Sequence, residues 1–215
     1  MTILLLIRHG DNDFVGRRLV GRRPDVHLNA RGKEQASLLA EALCRAPIQA
    51  IYSSPLERAV ETAQPLAQAL ALPVQVRPGL LEVDFGRWVG KTPKQMARMK
   101  LWPVVQKTPS QARFPGGESF TEAQQRLIQD LEAIAFENQP DKLVAIFSHA
   151  DAIKLAVAYF LGLPLDNFQR LAVDTASITS VVVPEDGSPL LVSLNQKVRF
   201  EWPQGAEKKK KKSKL

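Results

Sequence analysis

Apolar residues fall into two rhythms along this chain. Two runs, ILLLI at 3–7 and LVAIF at 143–147, are continuous, with no alternation of apolar and polar positions. Runs of that length predict strands buried on both faces, as in a parallel sheet covered by helices. Further β-rich segments at 49–52, 74–77, 178–183 and 190–194 bring the expected strands to six. Only the turn PEDGSP separates the last two, so these should pair antiparallel.

Between the strands the period lengthens to that of a helix. NARGKEQASLLAEALCRA sets Ala36, Leu39, Ala40 and Leu43 on one face, with Asn29 as the expected N-cap. In SPLERAVETAQPLAQALAL, Ser54 is expected to cap, Pro55 to sit in the first turn and Pro65 to kink or restart the helix. Ser119 and Glu122 have capping-box spacing ahead of a third helix, and Gly162 with Pro164 should end a fourth that starts at ADAIKL. The predicted fold class is α/β: a three-layer sandwich around a doubly wound, mostly parallel sheet with an antiparallel edge strand. Length favours one domain over residues 1–205. Residues 85–117, rich in Pro, Gly and basic residues, read as an excursion over the active face.

Charge removes one class of partner. The net charge is +7, but KKKKKSKL at 208–215 holds six lysines and no acid. Without those six, 23 basic residues face 22 acidic ones. Residues 206–215 are therefore expected to be a disordered, solvated tail, and no aromatic residues interleave with the lysines to stack on bases. No specific nucleic-acid partner is expected. No apolar run approaches the roughly 20 residues of a membrane span, and TILLLI lacks the flanks of a signal peptide, so no membrane partner is expected either. The single Cys44 excludes an internal disulfide framework, suits a reducing compartment and is expected to be buried in a helix. A cytoplasmic location is the expectation; the terminal Ser-Lys-Leu would be a peroxisomal address only in a eukaryote. The sequence leaves oligomeric state open, a homodimer included.

Ligands of open α/β sheets sit beyond the carboxyl ends of the strands. His9 follows the first strand, Arg58 opens the helix after the second, Glu82 comes soon after the third and His149 follows the fourth. Four chemically capable residues at equivalent places in successive units argue for one site. Arg8 and Arg58 offer planar forks for phosphate. Neutral histidines can bind phosphate or attack phosphorus, and a carboxylic acid can protonate a leaving alkoxide. Together they supply charge neutralisation and in-line positioning without a metal or cofactor. Gly10 and Ala150 are small enough for close backbone approach to a ligand, and the helix that starts at Ala150 adds N-terminal donors.

Five segments, LIRHGDND, SSPLERAVETA, LLEVDFGRWVGKT, FPGGESF and FSHADAIK, occur in that order between about residues 3 and 183. Together they resemble the histidine phosphatase superfamily, the phosphoglycerate-mutase-like fold. The resemblance implies that His9 is the phosphorylated nucleophile, that Arg8, Arg58 and His149 bind the transferring phosphoryl group, and that Glu82, in competition with Asp84, donates the proton. Asn12 stands where the family usually has Thr or Ser near the phosphate. Val15 replaces a family Asn, and Ala150 replaces a Gly that often follows the second His. EVDFGRWVGKT resembles the phosphatase branch rather than the cofactor-dependent mutases. The implied function is a metal-independent phosphomonoesterase acting on a small phosphorylated metabolite, with mutase-type phosphoryl transfer as the alternative. Arg22, Ala150 and Asn12 join the expected phosphate-binding set. Arg17, Arg22, Arg23, Arg87 and Lys91 suggest anionic substrates such as phosphorylated acids or sugar phosphates.

Other readings stand beside these. His9-Gly10-Asp11 and His149-Ala150-Asp151 form two His-x-Asp pairs that a metallophosphatase could use, although Arg8 and Arg58 would crowd a dication. A non-catalytic phosphate-binding protein would require loss of the nucleophile or acid. His27 reads as a surface histidine, Glu118 as either a helix-start carboxylate or a substrate contact, and PGG as a tight turn before a phosphate cradle.

Overall fold

Both uninterrupted apolar runs become the central strands of one six-stranded sheet. The structure, a computed structural model, describes residues 1–138, 142–185 and 188–198. Its strands are β1 (Thr2–Arg8), β2 (Ile48–Ser53), β3 (Val74–Val76), β4 (Lys142–Ser148), β5 (Ile178–Val183) and β6 (Leu190–Gln196), in the order β3-β2-β4-β1-β5-β6. The first four pair parallel, β1 lying against β4 in register from Thr2–Lys142 to Arg8–Ser148. β5 is antiparallel to both β1 and β6, so the final pair forms as expected and β5 is the strand that runs against the others.

Helices α1 (Ala30–Leu43), α2 (Glu57–Leu70), α3 (Pro93–Met96), α4 (Trp102–Lys107), α5 (Phe120–Glu137) and α6 (Ala150–Phe160) surround the sheet. Successive residues of β1 point to opposite faces. Leu5 and Ile7 pack with Leu39 of α1 and Ala59, Ala63 and Leu66 of α2. Leu4 and Leu6 pack with Leu127 and Leu131 of α5 and Ile153 and Ala156 of α6. Each such aliphatic side chain contributes about 1.5–3 kcal/mol by leaving water, which is why a run with no polar position was tolerated and needed.

The expected caps at Asn29 and Ser119 form: the Asn29 side chain accepts from the Gly32 N–H, and Ser119 and Glu122 make a reciprocal capping box. Gly162, at φ 61°, follows the end of α6. Four expectations fail. α2 starts at Glu57 with Leu56 as its cap position, so Ser54 and Pro55 both lie outside the helix. Pro65 does not restart the helix: it lies within α2, which runs on to Leu70, because Ala63, Leu66 and Ala67 around it are buried against the sheet and outweigh one lost N–H. Cys44 is exposed, a free thiol at the C-cap of α1.

Residues 85–117 form α3, α4 and two short 3-10 turns. Phe85, Trp88 and Phe114 meet edge to face and continue through Phe120 to Phe168 as a third apolar cluster. The lysine-rich stretch and the terminal Ser-Lys-Leu lie outside the described residues. Among the described residues, no helix is long and apolar enough to cross a membrane.

Candidate functional site

The four strand-following residues meet at the carboxyl end of the sheet. The rings of His9 and His149 lie 5.3 Å apart, and Arg8, His9, Arg58 and Glu82 line one cavity of about 160 Å³ together with Asn12 and Ala150. His149 is fully buried against the His9 ring.

His9 Nδ1 lies 2.7 Å from the carbonyl oxygen of Gly10. A carbonyl only accepts, so Nδ1 carries the ring proton and Nε2 keeps its lone pair. Burial, reinforced by the positive charges of Arg8 and Arg58, holds His9 well below the usual histidine range, and the imidazole is neutral. Burial likewise depresses His149, with Arg58, His9 and Arg8 adding to it. Ser54 Oγ sits 2.8 Å from His149 Nε2. The residue expected to cap α2 orients this histidine instead; with its hydroxyl donating to Nε2, His149 Nδ1 becomes a donor.

Arg8 donates from Nη1 to the Val173 carbonyl at 2.7 Å, and Arg58 from Nη2 to the Gly21 carbonyl at 2.7 Å. Burial lowers both guanidinium pKa values, opposed chiefly by the charge of Glu82. Arg8 Nε, Arg58 Nη1 and His149 Nδ1 are buried without a protein partner. An unmet buried donor costs about 1–3 kcal/mol. Three of them from three elements, two on cations, mark a place built for an anion with several acceptor oxygens.

Glu82 Oε1 accepts from the N–H groups of Val83 at 3.0 Å and of Ala152, in the first turn of α6, at 3.1 Å. Burial, with the negative charge of Asp151 nearby, pushes its pKa up to about 7. A carboxyl there holds its proton near neutrality and can deliver it. Its competitor Asp84 instead accepts from the Gly86 N–H and does not line the cavity. Asn12 is buried, its side-chain oxygen accepting from the Phe14 N–H.

Two expected contributors are used differently. Arg22 does not line the cavity: its Nε donates to the Glu82 carbonyl at 2.8 Å and its Nη2 to Glu118 at 2.6 Å. Gly10 makes room for the protein itself, because a Cβ there would meet the Gly32 carbonyl oxygen at 2.7 Å. PGG packs on the chain as a turn, Gly117 lying where a Cβ would strike the Asp84 carbonyl. His27, on the surface, pairs with Glu61. Among the described residues, no group of three or more His, Cys, Asp or Glu side chains could hold a metal ion, so the two His-x-Asp pairs do not assemble into one site.

Phe14, Val15, Arg18, Leu19, Val20, Phe85 and Asp151 also line the cavity. Phe85 belongs to the segment expected over the active face, and Val15 and Asp151 were noted in the sequence for other reasons; Phe14, Arg18, Leu19 and Val20 were not singled out one by one, because periodicity gives no signal in a loop.

Residues 4–197 match the family model of the histidine phosphatase superfamily, branch 1. The chain belongs to this superfamily. This histidine phosphatase is 32% identical over 201 residues to phosphoserine phosphatase 1 of Hydrogenobacter thermophilus, covering 91% of this chain and 92% of that protein. It is 30% identical over 198 residues to a Serratia proteamaculans protein named "probable phosphoglycerate mutase GpmB", covering 90% and 89%. A mycobacterial glucosyl-3-phosphoglycerate phosphatase solved with VO3 superposes at a TM-score of 0.81 with 30% identity, over 91% of this chain and 99% of that one.

Proposed function

We propose that this histidine phosphatase is a metal-independent phosphomonoesterase that acts on a small phosphorylated metabolite through a phosphohistidine on His9. The observation that carries the reading is the convergence of three unpartnered buried donors on a neutral histidine. The substrate phosphate docks on Arg8 Nε, Arg58 Nη1 and His149 Nδ1, with Asn12 and the N-terminus of α6 at Ala150 beside it. His9 Nε2 attacks phosphorus in line. A P–N bond forms, the ester P–O bond breaks, and Glu82 gives its proton to the departing oxygen. Water then attacks the phosphohistidine, Glu82 takes a proton from it, and phosphate leaves with His9 neutral again.

The cavity is smaller than the roughly 300–1,000 Å³ of drug-sized ligand pockets, which supports a compact substrate. None of Arg17, Arg22, Arg23, Arg87 and Lys91 lines it, whereas Arg18 does. The leaving group therefore rests on a mainly apolar wall with one cation at its edge. The relatives' names favour phosphorylated hydroxy and amino acids as the first compounds to try. The enzyme is assigned to the cytoplasm, where an exposed free thiol at Cys44 stays reduced.

His9→Ala should abolish turnover and the acid-labile phosphoenzyme while inorganic phosphate still binds, and EDTA should leave the wild type unchanged. Turnover surviving in His9→Ala would remove the nucleophile from this scheme. A hydrolysis screen over phosphoserine, 3-phosphoglycerate, sugar phosphates, nucleotides and α-ribazole phosphate identifies the substrate, and isomerised rather than released phosphate would make the enzyme a mutase.

A further inference from the structure

Glu82 sits on a stretch of chain that is neither helix nor strand, between the 3-10 turns at Pro78–Leu80 and Gly86–Trp88. Its carboxyl is met by the Val83 and Ala152 N–H groups, but no helix or strand of its own fixes its backbone. Three charged side chains outside the cavity do. Arg126, on α5, donates from Nη1 to the carbonyls of Gly79 at 2.6 Å and Leu81 at 3.3 Å, and from Nη2 to that of Glu82 at 3.5 Å. Arg22 reaches the same Glu82 carbonyl from the other side at 2.8 Å. Glu118 joins the two: its Oε1 accepts from Arg22 at 2.6 Å and from Arg126 Nε at 3.1 Å, and its Oε2 from Arg126 Nη2 at 3.2 Å. The same Oε2 accepts from the Asp84 N–H at 3.1 Å, while the Glu118 N–H donates to the Asp84 carbonyl at 2.9 Å.

The network also reaches the phosphate side. Arg22 follows Gly21, whose carbonyl holds Nη2 of Arg58. Residues 21–22 thus tie the phosphate-binding guanidinium to the backbone of the acid. Burial alone would raise the Glu118 carboxyl, but hydrogen bonds from Arg126 and the Asp84 N–H, with the charges of Arg126 and Arg22, hold it below its ordinary range. It therefore stays ionised and keeps all of these bonds across the working pH of the enzyme.

We propose that Glu118, held between Arg22 and Arg126, is a positioning residue that keeps the proton donor Glu82 in register with the phosphate bound at Arg58. The proposal rests on the acid role assigned to Glu82 above. A carboxyl displaced by about 1 Å loses its line to the leaving oxygen, and such displacements lower rates by about 100-fold. The loss falls only on substrates whose leaving group needs a proton.

That selectivity supplies the test. Two probes of nearly equal size differ in leaving group: 4-nitrophenyl phosphate releases a stable phenolate unaided, and 4-nitrobenzyl phosphate releases an alkoxide that must be protonated. First-turnover release is followed by rapid mixing for the wild type and Glu118→Gln, which keeps the shape and removes the charge. The expected result is a rate within about 3-fold of wild type for the nitrophenyl ester and about 10–100-fold lower for the nitrobenzyl ester, with the dissociation constant of inorganic phosphate little changed. Equal losses with both esters would make Glu118 merely structural and overturn the proposal, as would no loss with either. Arg22→Gln, read the same way, decides the matter if Glu118→Gln does not fold. Acid-labile phosphate on His9 of the wild type is measured in the same runs. Its absence would sink the functional reading itself, independently of the ester ratio.

Discussion

Glu82 holds its proton near neutrality because it is buried and has Asp151 as a neighbour, and this fixes the pH dependence of the enzyme. In the proposed scheme the acid form serves the leaving group, so kcat/KM should fall as pH rises through about 7. His9 adds no loss near pH 6.5, because burial places its own protonation well below that. Replacing Asp151 by Asn removes a charge that raises Glu82, so the falling limb should move to lower pH. A limb that stays in place or moves up would show that Asp151 does not tune the acid. At this scale placement was legible where it follows a strand: His9, Arg58, Glu82 and His149 each lie where expected, at the carboxyl end of the sheet. Arg22 was not, since the partners that draw it from the cavity lie 60 and 96 residues away. Ser54 was misassigned because a hydroxyl before a helix suits capping and histidine orientation equally in sequence.

Elements were easier to read than the contacts that seat them. The caps at Asn29 and Ser119 and both central strands follow from local pattern. Yet the fit of α1 onto the loop carrying His9 depends on two glycines that the pattern treats as unrelated. A Cβ on Gly32, in the first turn of α1, would lie 2.0 Å from the Asp11 carbonyl oxygen, and one on Gly10 would press back on Gly32. Neither partner can yield, because both are backbone. Gly32→Ala should therefore push α1 from the loop carrying His9 to Asn12, destabilise the protein by about 2 kcal/mol or more and lower turnover. Gly16, at φ 72° with nothing near its Cβ position, provides the contrast. Gly16→Ala should cost only about 1 kcal/mol, for the left-handed backbone alone. Chemical denaturation of the two variants compares them directly. Equal losses would mean that the α1 contact is no tighter than an open turn.

At the scale of the whole molecule, the unpartnered donors gathered at the site come from residues 8, 58 and 149, which only the folded sheet brings together. The unfolded chain has no such cluster, so an anion that satisfies them binds the native state alone and must stabilise it. At 100 times its dissociation constant an anion adds about 2.7 kcal/mol, or about 5–10 °C in melting temperature for a chain of this size. Sulfate is the informative choice, since its charge is the same at pH 6 and pH 8. Glu82 is not the same at those two values: it is mostly protonated below about 7 and mostly anionic above, and an anionic carboxylate repels sulfate. The shift should therefore be larger at pH 6 than at pH 8. His9→Ala should retain it, because His9 Nε2 offers a lone pair and no proton to the anion. Arg58→Ala should lose most of it, since that guanidinium supplies both charge and an unpartnered N–H. An undiminished shift in Arg58→Ala would place sulfate elsewhere on the surface and detach the three donors from phosphate recognition.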